Sequence, residues 1–271
     1  MSKHFELTND TIIRYGRTLY RIRATRDLPD HDVKAGDLGG YVERLDNLSD
    51  DAWVADEAYV FGNALVSGNA RVSNDAWVFG KAYIGDDARV FGYAWVFGEA
   101  QVSGNAQVFG GAMVYDNAQV TDYARVSGNA RVTGNALVLC DARVYDNARV
   151  SDCARVYGNA QVFGGAYIDE DAQVYGDAVV SGNAWVSRNA QVFGEAQVSG
   201  NAQVFGGAMV YDNAQVTDYA RVSGNARVFG NACVLTYARV EDNAQVQGDA
   251  WVTDNALVYG YARVLGNERA T

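Results

Sequence analysis

Two histidines, three cysteines and a recurring set of aspartates are the side chains through which this sequence could do acid–base, nucleophilic or metal chemistry. His4 and His31 are the only imidazoles, and both precede residue 50. Acyl transfer that relies on a positioned histidine base needs that base beside the acceptor, together with a loop to enclose it. Neither is in sight here. Zinc held by three histidines cannot be assembled from two. Cys140, Cys153 and Cys233 are an odd number at unmatched positions and read as reduced thiols rather than a disulfide framework. Asp116, Asp122, Asp146, Asp152, Asp212 and Asp218 could suggest calcium, but calcium-binding β-rolls use a Gly/Asp nonapeptide. These aspartates read instead as turn residues. No catalytic, cofactor-binding or metal-ligating residue is expected, and no cofactor.

The elements that carry these residues follow from one period. From Ala52 to Ala262 every sixth residue is alanine, and two residues after each comes valine, replaced only by Ile84 and Ile168. Alanine and valine two apart face one side of an extended strand, while the residue between them faces the other. Gly or Asp followed by Asn or Asp then supplies positions that tolerate positive φ. A period of six places no apolar stripe on a helix. The expectation is an all-β fold, a single-stranded parallel β-helix of hexapeptide repeats. If three hexads close one triangular coil, about 12 coils stack at about 4.8 Å into a rod of about 58 Å. Residues 51–271 form this solenoid. Residues 1–50 lack the repeat, and their strand-like Thr18–Ala24 and Gly-rich Ala35–Glu43 stretches read as a β cap for the open first coil.

With three hexads per coil, residues eighteen apart stack. One outward column is Tyr59, Trp77, Trp95, Met113, and its neighbour is Phe61, Phe79, Phe97, Tyr115. Together they make the largest apolar surface in the sequence, a candidate interaction surface as well as a stacking ladder. A second ladder, Tyr157, Tyr175, Phe193, Tyr211 and Phe229, reads as stabilisation. Arg71, Arg89, Arg125 and Arg143 share a column broken by Gln107, and the blander account has them lying over Phe91 and Phe109. Residues 96–132 recur identically at 192–228, an offset of sixteen hexads, so the copy is turned by one face. A face-specific catalytic group would be misplaced by that shift.

The register Val-x-x-x-Ala-x resembles the hexapeptide signature of left-handed parallel β-helices, although aromatics such as Phe61, Phe79 and Phe97 follow the aliphatic residue here. The left-handed winding is implied by that resemblance alone. Arg21-Ile22-Arg23-Ala24, Asp37-Leu38-Gly39-Gly40-Tyr41-Val42-Glu43 and Asn47-Leu48-Ser49, with the Asn-Ala-x-Val-x-Gly body, resemble the YdcK-like hexapeptide-repeat proteins of bacteria and prophages. What this resemblance implies is architecture, not an activity.

Net charge is −11, and residues 1–50 hold 8 Lys/Arg against 9 Asp/Glu, so nearly all of it sits on the repeats. An acidic body disfavours nucleic acid and anionic membranes. No apolar run reaches the roughly 18 residues of a membrane helix, and Met1-Ser2-Lys3-His4-Phe5-Glu6 lacks the order of a secretory signal. The expected function is a cytoplasmic, non-catalytic scaffold that binds a protein partner or a second copy of itself, the latter through an open C-terminal edge at Gly266–Thr271. Two alternatives remain open: a hexapeptide-type acyltransferase, and an acidic mimic that inhibits a nucleic-acid-binding protein.

Overall fold

The structure, a computed structural model, describes residues 3–271. Met1 and Ser2, which open both the 1–50 segment and the stretch read for a secretory signal, lie outside the described residues. The chain divides into two compact units, Met1–Gly134 and Asn135–Thr271. Each is a parallel β-solenoid.

The repeat gives the same local structure in both units. Each hexad forms a two-residue strand, such as Trp77–Val78 or Gln173–Val174. The amide after each alanine donates to the alanine carbonyl one coil on, as Trp53 N does to Ala70 O at 3.0 Å. The amide after each valine donates to the valine carbonyl one coil on, as Ala55 N does to Val72 O at 2.8 Å. Partners are eighteen residues apart, so three hexads close one coil. Alanine and valine side chains fill the interior and are shielded from solvent along both units, loosening slightly at Ala256, Val258 and Val264, with Ala262 exposed. A narrow three-sided coil leaves no room for anything larger than a methyl at the alanine position.

The fifth residue of each hexad turns the corner with positive φ, and it is usually glycine or aspartate. Asp146 sits there at φ 59° and Gly164, one coil on, at φ 69°. The aspartates do more than adopt the turn. Asp146 Oδ2 accepts from Gly164 N at 3.2 Å, and Asp212 Oδ2 from Gly230 N at 3.1 Å. Each carboxylate therefore bonds the amide of the corresponding corner in the next coil, so the turn residue also ties coils together.

In Met1–Gly134 the three strand columns run Tyr41, Tyr59, Trp77, Trp95, Met113, Arg131; Trp53, Arg71, Arg89, Gln107, Arg125; and Leu65, Tyr83, Gln101, Gln119. The first column continues into three longer strands, β1 (Phe5–Arg14), β2 (Arg17–Ala24) and β3 (Leu38–Val42). β1 and β2 form an antiparallel hairpin whose turn is Tyr15-Gly16, both at positive φ, the geometry of a two-residue hairpin loop. β3 pairs antiparallel with β2 and parallel with Tyr59–Val60. The coil register thus begins before Ala52, and the chain makes about 13 turns. Glycine hides this first rung from a search for alanine. Gly40 takes the alanine place, and a Cβ there would lie 2.7 Å from Ala58 O.

In Asn135–Thr271 the columns run from Arg149 through Tyr167, Trp185, Gln203, Arg221 and Arg239 to Leu257, from Arg143 to Arg269, and from Leu137 to Arg263. The aromatic ladder of this unit forms as its spacing implies. Tyr157, Tyr175, Phe193, Tyr211 and Phe229 stack successively at 4.8–4.9 Å with rings nearly parallel.

Candidate functional site

The aromatic surface of Met1–Gly134 is built by column register. Phe61, Phe79, Phe97 and Tyr115 stack at 4.9–5.1 Å with interplanar angles of 4° or less. Beside them Trp77 and Trp95 stack at 5.4 Å, and Tyr59 meets Trp77 edge-on at 5.1 Å. Met113 follows Trp95 in the strand column. The geometry brings all eight predicted residues into one contiguous strip.

It does not leave all eight on the surface. Tyr59 and Phe61 are only 7% and 5% exposed and form a buried cluster with Leu19 and Tyr41, against which Ile12, Trp77 and Phe79 pack. The cover is the β1–β2 hairpin. Tyr15, at its tip, lies 6.3 Å from the Phe61 ring and meets Trp77 edge-on at 5.5 Å. The Arg14 guanidinium sits 5.3 Å from the Tyr59 ring centroid. Trp77, Trp95, Met113, Phe79, Phe97 and Tyr115 remain half-buried and reachable from solvent. Ile12, Arg14 and Tyr15 escaped the sequence reading because β1 has no clean alternation. Only the Tyr-Gly turn before the Thr18–Ala24 strand hinted at a hairpin.

Both histidines are buried at the N-terminal end, and each donates its Nε2–H to a backbone carbonyl: His4 to Ala52 O at 2.8 Å, His31 to Asp51 O at 2.9 Å. Burial lowers the pKa of each below the usual imidazole value, and the carbonyl bond opposes that shift without cancelling it. A cavity of about 540 Å³ opens beside His31, walled by the Pro29–His31 turn on one side and by Arg71, Arg89, Ser73 and Phe91 on the other. Arg71 is already engaged there, with Nη1 donating to His31 O at 3.0 Å. Of the arginine column, Arg71 and Arg89 are neighbours and Gln107 separates them from Arg125. Phe91 and Phe109 stack on each other at 4.9 Å, so ring on ring, rather than guanidinium on ring, fills that corner.

Cys153 and Cys233 are free thiols, and burial raises the pKa of Cys233. Among the described residues, no group of three or more His, Cys, Asp or Glu is placed to hold a metal ion. Nor, among the described residues, is any helix long and apolar enough to cross a membrane.

The model of the YdcK β-solenoid repeat family matches residues 64–80, 124–139, 172–188 and 220–235. All four stretches lie in the six-residue repeat, and their strands and corners are those described above. No curated protein matches the chain.

Proposed function

We propose that this chain, which carries repeats of the YdcK β-solenoid family, is a non-catalytic scaffold that binds a partner protein through Trp77, Trp95, Met113, Phe79, Phe97 and Tyr115. The observation that carries this reading is the strip itself. Six large apolar side chains lie side by side, half-buried, with one end closed by the hairpin and the rest uncovered by any other described segment of Met1–Gly134. Contiguous apolar surface of this kind marks contact sites, and tryptophan is the residue most often found to anchor them. The two stacked indoles also hold each other in place, so little rotamer freedom is lost on binding.

Against an acyltransferase stands the use of both imidazoles: His4 and His31 are buried, and each is committed to a backbone carbonyl. The acidity of the repeats supports a protein rather than a nucleic-acid partner. The odd count of three cysteines agrees with a reducing, cytoplasmic setting.

The test is a native pull-down from bacterial lysate, comparing the wild type with a Trp77→Ser/Trp95→Ser variant and reading both by mass spectrometry and light scattering. A stoichiometric partner recovered with the wild type and lost with the variant is the expected result. A partner retained by the variant refutes the strip as its contact surface. Recovery of the chain alone, with a mass in light scattering that falls in the variant, assigns the strip to self-association.

A further inference from the structure

In Asn135–Thr271 two arginines converge on one ring. Phe205 follows a strand, with Ser187 and Ser223 in the same position one coil to either side, and both serines are buried. Arg188 reaches it from the corner of one neighbouring coil, its guanidinium carbon 5.8 Å from the ring centroid. Arg221 reaches it from the strand of the other, at 5.2 Å. Neither has a carboxylate within ion-pair distance among the described residues, whereas Arg239, next along the column from Arg221, is paired with Glu241. Two uncompensated cations on one ring are unexpected in a chain of net charge −11. Asp169 is engaged by the Trp185 indole at 2.9 Å and Asp242 by Gly260 N at 3.1 Å, while Glu170, the corner residue one coil before Arg188, forms no ion pair with it among the described residues.

Two further observations point to a ligand. Nε of Arg221 is buried without a hydrogen-bond partner, which is costly for a charged group unless something completes it. Arg188 occupies a corner position at φ 61° and is the one Arg or Lys among the described residues with positive φ. That corner geometry, shared by every hexad, fixes where the Arg188 side chain leaves the backbone, and the residue is exposed there. The next corners of its column are Gly206 and Gly224, so no side chain there blocks approach to the two guanidiniums.

The internal duplication supplies a control. Phe205 and Arg221 lie in the repeated segment, and their counterparts are Phe109 and Arg125. The residue corresponding to Arg188 precedes that segment and is Gly92, beside Phe91, which stacks on Phe109. The second copy alone combines the ring, the strand arginine and a corner arginine.

We propose that Arg188 and Arg221 form a binding site for a tetrahedral oxyanion, a phosphoryl group, with Phe205 as the platform that orients both guanidiniums. Planar forks lying on a ring keep their N–H edges free, and two of them match the several oxygens of a dianion. Isothermal titration calorimetry with inorganic phosphate and with O-phosphoserine, at constant ionic strength, tests the assignment. Wild type should bind one equivalent saturably, and Arg188→Gly and Arg221→Gln should each weaken binding at least about tenfold, as loss of a charge-assisted fork implies. Arg188→Gly suits the left-handed corner, so the variant should melt no lower than wild type, which separates lost binding from lost folding. Arg125→Gln should bind like wild type. Preference for O-phosphoserine would place the phosphoryl on a larger molecule, and equal affinity would indicate the free anion. No saturable binding by wild type, full binding by Arg188→Gly, or equal weakening by Arg125→Gln would each overturn the proposal.

Discussion

At the scale of the residue, the corner position separates what glycine is needed for from what it merely permits. Gly200 sits at φ +68°, and a Cβ there would lie 2.7 Å from Asp218 N, so it is bound both by conformation and by the approach of the next coil. Gly200→Ala should lower stability by about 1–2 kcal/mol from the left-handed backbone alone, and by more from the contact, read as a fall in the urea midpoint. Glu170, at φ 53° in another corner, already carries the backbone cost. Glu170→Gly should therefore raise the midpoint, and a fall would show that its side chain matters more than its φ. The sequence announced this chemistry through its Gly/Asp alternation. It did not announce that aspartate carboxylates bond across coils, because that contact joins residues eighteen apart.

At the scale of the element, the N-terminal strands explain where the aromatic strip ends and why this end of the unit should be acid-sensitive. Antiparallel β1 and β2 extend the first column and place Tyr15 over Phe61 and Trp77. His4 and His31 anchor the same region to the carbonyls of Ala52 and Asp51. In the unfolded chain each titrates near 6.5, while burial depresses both in the folded state. Between the two values the unfolded chain binds more protons, so this part of the stability is fully present above about pH 6.5 and is lost as pH falls toward the folded values. A urea midpoint that drops from pH 7 to pH 5, and drops less in His31→Gln, is the expected outcome. The same pH dependence in wild type and variant would exclude His31 as a source. Strand β2 and the turn into β3 were legible from alternation and glycine. β1 and the burial of Tyr59 and Phe61 were not legible, since outward-pointing residues of a repeat look exposed until another element folds over them.

At the scale of the whole molecule, register is the governing quantity. Every strand of the six-residue repeat pairs with one eighteen residues away inside its own unit, so the coil rather than the hexad is the smallest piece that can be removed without changing neighbours. Deleting residues 159–176, one coil of Asn135–Thr271, should preserve the far-UV spectrum and cost only that coil's share of stability. Deleting residues 159–161 instead moves every later alanine and valine out of its column and should abolish cooperative unfolding. If both deletions unfold alike, the columns do not determine the fold. The internal duplication obeys the same rule: Gln107–Phe109 lies beside Arg89 and Phe91, while the identical Gln203–Phe205 lies beside Trp185 and Ser187.

Taken alone, the sequence determined the period, the inward alanine and valine columns, the left-handed corners and the two aromatic ladders. All of these depend on neighbours six or eighteen residues away, which a strict repeat makes visible. Tertiary structure decided the rest. It set the first rung at Gly40, buried Tyr59 and Phe61 under the hairpin, tied both histidines to backbone carbonyls, and brought Arg188 and Arg221 onto Phe205. Each of these is a departure from the repeat, and a periodic pattern carries no information about where its own exceptions meet.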